Sequence, residues 1–496
     1  MKKTMPTRML HVSAYLLALS LVLLFAPVSS AAEDAPLCIR IQKQTQAGIV
    51  PTDHFALIRD YEDERITPDI WIPSAFIADL ALPVKFDASK KAFTVRLDKP
   101  AERLGIPALG QFAPNALELD FAAKSEDGRQ HFNISDIEQV TGISYILSKN
   151  RTDASQSTLV VGPSSLVKKE RRAREKTELD PLPKAFNLLW DHVTRDNPDL
   201  SAEEKISAVD VLSPTWFALA DEKGGMSNRG SVAYVRAAHD RGYRVWALVS
   251  NGFNKERTTK FFADEAAQNR FIARLLACAR IYGFDGINVD FEGVDNNDAA
   301  RLTAFVKKLA AAARTMGLTI SIDIMVPSNW SKCYERPALS KIVDYVAVMT
   351  YDEHWRTSPK AGSTASIPWV TAKLRDTLAD IPAEKLLLGV PLYTREWEET
   401  KGKNGKVSVK SKTLAMVSAD LALEASGAQK KWLPQAGQNY FEYVSADKTY
   451  KVWIEDEYSL TLRMELVQKN ELAGAAFWRK GFEKPEIWDQ VEKFSK

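Results

Sequence analysis

The chain has 496 residues, 45% of them apolar and 26% charged, with a net charge of +2. That length exceeds one ordinary domain and predicts two or three, and the composition is that of a globular protein. The near-neutral balance gives no whole-chain reason to expect nucleic acid as a partner. Three cysteines, Cys38, Cys278 and Cys333, have neither metal-ligand spacing nor the count for a complete disulfide set, so stability must come from a core.

In chain order, Met1-Lys2-Lys3 and Arg8 make a basic start. Val12 to Pro27 is apolar and Leu-rich, and Ser30-Ala31-Ala32 places small residues where a signal peptidase cuts. The apolar run is about 15 residues, short of the roughly 20 that span a bilayer. Residues 1–32 therefore read as a cleaved export signal, which predicts a secreted or envelope-associated protein with no later membrane span.

Residues 33–165 read as a small α+β repeat domain. IWIPSAFIADLALPVKF with AFTVRL (70–97) and HFNISDIEQVTGISYIL with STLVVG (131–162) share one pattern. Each predicts a strand, one or two helical turns, a strand, a turn and a strand, repeating after about 60 residues. This resembles the repeats of the copper amine oxidase N-terminal (stalk) domain. No His or Cys cluster here suits copper, so the resemblance implies a spacer or wall-binding module. Residues 166–184, with KKERRAREK at their centre, predict a charged linker; a basic patch for anionic wall polymers is the other reading.

From residue 185 strand-like and helix-like segments alternate. The strands are AFNLLWDHV, SAVDVLSPTWF, YRVWALVSN, DGINVDFE, LTISIDIMV, DYVAVMTYD, KLLLGVPLY and LAGAAFW. Amphipathic runs such as 297–317 separate them. Eight such units predict a (β/α)8 TIM barrel over 185–496, with an inserted α+β subdomain at about 400–450. A doubly wound sheet would usually carry a Gly-rich loop after its first strand, and none is present.

The fourth strand carries the chemistry. In DGINVDFE (285–292), Ile287, Val289 and Phe291 alternate with Asn288, Asp290 and Glu292, so one face is apolar and the other polar. Two carboxyls spaced two residues apart repel, unless a site at the barrel mouth uses one as a proton donor. An ion pair across the mouth, or a divalent metal site, is the alternative. The metal would normally need His or more acids from neighbouring strands.

DGINVDFE resembles the DGxDxDxE strand of family 18 glycoside hydrolases, the chitinase family. VMTYD (348–352) is similar to its sixth-strand motif, and AGAAFW (473–478) ends in its eighth-strand Trp. SPTWFAL, YRVWALVSNGF, MTYDEHW, LGVPLYTREW and FWRKGFEKPEIW resemble the bacterial branch that trims peptidoglycan, including spore cortex. The resemblance spans 185–496.

It implies a retaining N-acetyl-β-D-glucosaminidase that uses the substrate's own acetamide as nucleophile, with no metal or organic cofactor. Glu292 would be the general acid, Asp290 would orient the acetamide and Tyr351 would hydrogen-bond it. Asn288, Met349, Asp352 and Trp478 would bind the sugar, and Asp285 would have a supporting, mostly structural role. The family's middle Asp is Asn288 here, whose amide can still hydrogen-bond Asp290. The lost charge is expected to leave Glu292 less raised in pKa and to shift the pH optimum acidic. The implied partner is an N-acetylglucosamine-containing polysaccharide. A chitinase, with Trp216, Trp330, Trp355 and Trp397 along a cleft, and a sugar-binding lectin on the same barrel remain the competing readings.

Overall fold

The computed structural model describes residues 37–45, 48–59, 69–80, 84–88, 91–126, 128–150, 152–163, 179–402 and 405–494. The expected export signal and most of the charged linker lie outside these residues.

Eight parallel strands close into a barrel: Phe186–Asp191, Val211–Pro214, Arg244–Ser250, Gly286–Asp290, Thr319–Met325, Tyr345–Met349, Leu386–Pro391 and Gly474–Trp478. Neighbours pair in sequence order, and the eighth closes on the first through Phe186↔Gly474. Each lies inside a stretch that the sequence predicts as strand. Local signals set the boundaries of the helix before the fourth strand, Glu265–Tyr282. The Asp264 side chain accepts from the Ala267 N–H at its start, and Gly283 ends it at φ 79.

Side chains fill the barrel in layers. Phe186, Trp246 and Tyr345 form an aromatic layer with ring centroids 4.9 to 5.5 Å apart. Gly286 faces that layer, where a Cβ would sit 2.6 Å from the Trp246 ring, so the fourth strand must begin with glycine. Two residues on along their strands come Leu188, Leu248, Asn288 and Ala347, then Trp190, Ser250, Asp290 and Met349 at the C-terminal mouth.

The insertion is larger than the sequence suggests. It starts at Tyr393, two residues after the seventh strand, and runs to Ile454 as a five-stranded antiparallel sheet with the helix Met416–Ser426. KLLLGVPLY reads as one strand, but Tyr393 already pairs with Ala415 of the new sheet.

Both predicted repeat stretches form strand–helix–strand–strand: Asp69–Pro73, Ser74–Asp79, Val84–Asp87 and Ala92–Asp98, then Arg129–Asn133, Ile134–Thr141, Ile143–Ser148 and Thr158–Pro163. Their first strands pair antiparallel through Ile72↔Phe132. This region is docked on the barrel rather than held away from it. Asn228 Nδ2 donates to the Asp120 carbonyl at 2.7 Å, Arg274 Nε to that of Glu118 at 3.1 Å, and the Val232 N–H to Asp136 Oδ1 at 3.1 Å. Phe121 places its ring 6.4 Å from that of Tyr282.

Candidate active site

At the C-terminal mouth of the barrel lies a cavity of about 460 Å³. It is lined by Asp290, Glu292, Met349, Tyr351, Asp352 and Trp478, all predicted from sequence, and by Trp190, Asp323 and Tyr393, which were not.

The fourth strand ends at Asp290, and Glu292 follows it on the rim. Phe291 points outward and stacks on Phe305 at 5.5 Å. Glu292 is held by its backbone: its N–H donates to Asn251 Oδ1 at 3.1 Å, and Asn251 Nδ2 donates to its carbonyl at 2.7 Å. Tyr334 Oη donates to the Phe291 carbonyl at 2.8 Å. The third strand's end thus fixes the carboxylate that the fourth presents. Asn251 stands inside the quoted YRVWALVSNGF, but an Asn after a strand has no local signature for such a clamp.

Two expectations for Asn288 are corrected. It does not line the cavity, being fully buried, and it does not bond Asp290. Its amide oxygen accepts from Trp190 Nε1 at 3.0 Å and Ser213 Oγ at 3.2 Å. Its Nδ2 donates to Ser321 Oγ at 3.0 Å and Asp323 Oδ1 at 2.8 Å. Each polar atom of the amide is engaged beneath the site. Asp323, on the fifth strand, places a carboxyl beside Asn288, where an Asn at 288 leaves an amide.

Burial is the main cause of every carboxyl shift here. It pushes Glu292 up to about 7, with Asp352 adding repulsion. It pushes Asp323 up to about 8 against the stabilising Asn288 bond, and it also raises Asp290 well above its ordinary value, with help from Glu292 and Asp323. Residue 288, an uncharged amide, adds no repulsion to the Glu292 shift, whose causes are burial and Asp352. Asp290 Oδ1 is buried with no hydrogen-bond partner among the described residues. The Tyr351 hydroxyl is held protonated by burial.

The remaining predicted residues sit as follows. Asp352, at φ 58, accepts from Tyr393 Oη at 2.7 Å and Arg395 Nη2 at 2.9 Å. Trp478 ends the eighth strand, its ring 5.9 Å from Trp190 and 6.0 Å from His192. Asp285 lies at the far end of the fourth strand, where Oδ2 sits 2.8 Å from His239 Nε2 and accepts the Val245 N–H at 2.8 Å. Trp216 and Trp397 are fully buried and bond Asn197 Oδ1 and the Gly362 carbonyl, so neither lines a cleft. Trp330 and Trp355 are exposed but stand outside the cavity lining.

Among the described residues no group of three or more His, Cys, Asp or Glu side chains is arranged to hold a metal ion. No described helix is long and apolar enough to cross a membrane. A carboxyl that keeps its proton near neutrality, beside an unpartnered carboxyl oxygen, a phenol and an indole face, can protonate a leaving group and steady developing positive charge.

Comparison with known proteins agrees with this geometry. The model of Glycosyl hydrolases family 18 matches residues 199–482, more than half of the chain. The uncharacterised glycosylase YvbX of Bacillus subtilis is 26% identical over 329 residues, covering 63% of this chain and 93% of that protein. The cortical fragment-lytic enzyme of Bacillus subtilis is 24% identical, covering 49% of this chain and 57% of its own length. Among solved structures, the spore cortex-lytic enzyme SleL of Bacillus megaterium superposes with a TM-score of 0.57 at 19% identity, over 64% of this chain and 76% of that one. A chitinase of Chromobacterium violaceum gives 0.56 at 23%, over 62% and 98%. At those identities the structures speak to the fold.

Proposed function

The chain belongs to glycosyl hydrolases family 18, and from that premise we propose that it is a retaining hydrolase of β-linked N-acetylglucosamine in peptidoglycan, working by substrate-assisted catalysis. The observation that carries this reading is Asp290. It lines the cavity beside Glu292, yet its buried Oδ1 has no protein partner among the described residues. An acetamide N–H is the donor that such an oxygen lacks.

Glu292, protonated near neutrality, gives its proton to the glycosidic oxygen as the bond to C1 breaks. The 2-acetamido carbonyl oxygen attacks C1 from the opposite face and closes an oxazolinium ring. Asp290 accepts from the acetamide N–H and meets the positive charge, while the Tyr351 hydroxyl donates to the acetamide. Trp478 lies under the sugar face and Met349 beside it. The Glu292 carboxylate then takes a proton from water, which opens the ring with the β configuration kept.

Peptidoglycan is favoured over chitin for two reasons. Relatives named for cortex fragments match about half of this chain, and Trp216 and Trp397, which a chitin cleft would present, are inside the fold. The lectin reading is not retained, because the cavity keeps Glu292, Asp290 and Tyr351 together. The basic, apolar and small-residue pattern of residues 1–32 supports export, and we assign the N-terminal repeats a wall-contacting role. NMR of the first products from purified wall glycan tests the mechanism. β-Anomers are expected, and α-anomers formed first would refute substrate assistance.

A further inference from the structure

We propose that Arg229 binds a carboxylate carried by the glycan, so that the cavity prefers muramyl-type sugars, which carry acids, to neutral N-acetylglucosamine polymers. This rests on the glycosidase reading above and narrows its substrate.

The lining is otherwise acidic, polar and apolar. Asp290, Glu292, Asp323 and Asp352 all border the cavity, and a neutral sugar needs no cation there. Arg229 is nevertheless among the lining residues, and it is the one permanently charged cation among them. It follows the strand Met226–Asn228 of the hairpin beyond the second barrel strand, across the mouth from Asp352 after the sixth. Its backbone is fixed: the N–H donates to the Trp216 carbonyl at 3.0 Å and its own carbonyl accepts from Asn197 Nδ2 at 2.8 Å. Among the described residues its half-buried guanidinium has no hydrogen bond and no ion pair.

Four other cations near the mouth are occupied. Lys480 pairs with Glu203 at 2.6 Å, Arg395 with Asp352 at 2.9 Å, Arg479 lies over the Phe482 ring at 3.9 Å, and Arg257 donates to the Ala220 carbonyl at 2.8 Å. His192, beside Arg229 in the lining, has its pKa lowered by burial and by the nearby Arg479 and Arg229 charges, which makes it a weaker competitor for an anion. A partly desolvated guanidinium without a partner is unfavourable. Its planar fork of donors fits a carboxylate two bonds at a time. On a wall glycan that acid is either the free lactyl group of the muramyl sugar or a carboxylate of its stem peptide.

The test compares the full chain with Arg229→Ala and Arg229→Lys on three substrates: a chitin oligomer, wall glycan stripped of peptide by an amidase, and the same glycan with its peptides. The readout is the ratio of kcat/KM on each acidic glycan to that on the chitin oligomer. Loss of a hydrogen-bonded ion pair should lower that ratio roughly tenfold to a hundredfold in Arg229→Ala, with part of it restored in Arg229→Lys. A fall with the stripped glycan identifies the lactyl acid, and a fall confined to the peptide-bearing glycan identifies the stem. An unchanged ratio, or equal losses on all three substrates, overturns the inference. Binding of the same three ligands to the Glu292→Gln protein decides it independently of turnover. If nothing is cleaved, the glycosidase reading fails, while the affinity for each acidic glycan relative to the chitin oligomer, with and without Arg229→Ala, still tests the inference.

Discussion

Asn288→Asp is a near-isosteric change with a large predicted cost. It would give this strand the acid usual in the family. It would also remove both donors of the amide, to Ser321 Oγ at 3.0 Å and Asp323 Oδ1 at 2.8 Å, at a fully buried position. Asp290, Glu292 and Asp323 are already pushed above their ordinary range, so a fourth carboxyl must enter neutral. Holding a carboxyl of ordinary pKa near 3.9 protonated at pH 7 costs about 4 kcal/mol. An O–H donated to Asp323 returns about 1–2 kcal/mol, leaving a net loss of about 2–3 kcal/mol. The folded-state pKa is raised, so the penalty is absent below about pH 4 and grows as pH rises towards the folded value. Urea unfolding of both proteins at acid and alkaline pH measures it. The variant should match the wild type near pH 4 and fall behind at pH 8. Equal midpoints at pH 8 would refute the argument that the amide serves Asp323.

Glu292→Gln keeps the shape but cannot donate a proton, so turnover should fall about 10² to 10⁴-fold with oligomer binding retained; turnover within threefold of wild type would remove Glu292 from the acid role. The acid must be protonated to act, so kcat/KM should decline as pH rises through about 7, and a basic limb beginning well above that would contradict the Glu292 environment. Asp290→Ala should weaken a thiazoline analogue of the oxazolinium at least tenfold more than it weakens the product sugar, and parallel losses in inhibition assays would count against its charge-meeting role. A chain of residues 184–496 loses the bonds from Asn228, Val232 and Arg274 to the N-terminal region and uncovers Tyr282. Thermal unfolding should show it at least about 3 kcal/mol less stable, and an unchanged midpoint would mean that the docked face contributes nothing.

The elements and the acid motif were legible in the amino-acid sequence. Apolar runs bounded by caps such as Asp264 and Gly283 mark the eight strands and their helices, because backbone periodicity and capping are local. The alternation in DGINVDFE and the order of VMTYD and AGAAFW placed Asp290, Glu292, Tyr351 and Trp478 at one mouth, because residues ending parallel barrel strands converge there. What depends on neighbours distant in sequence became visible in the folded chain. Asp323 lies 35 residues from Asn288 and turns its amide away from the cleft. Asn251 lies 41 residues from the Glu292 backbone that it clamps. Trp216 and Trp397 read as cleft aromatics until packing buried them, and Arg229 reads as an ordinary hairpin cation until the cavity leaves it unpartnered. A side chain's face follows from its own strand. The atoms that meet it follow from which elements pack alongside and in what register, and no local pattern records that.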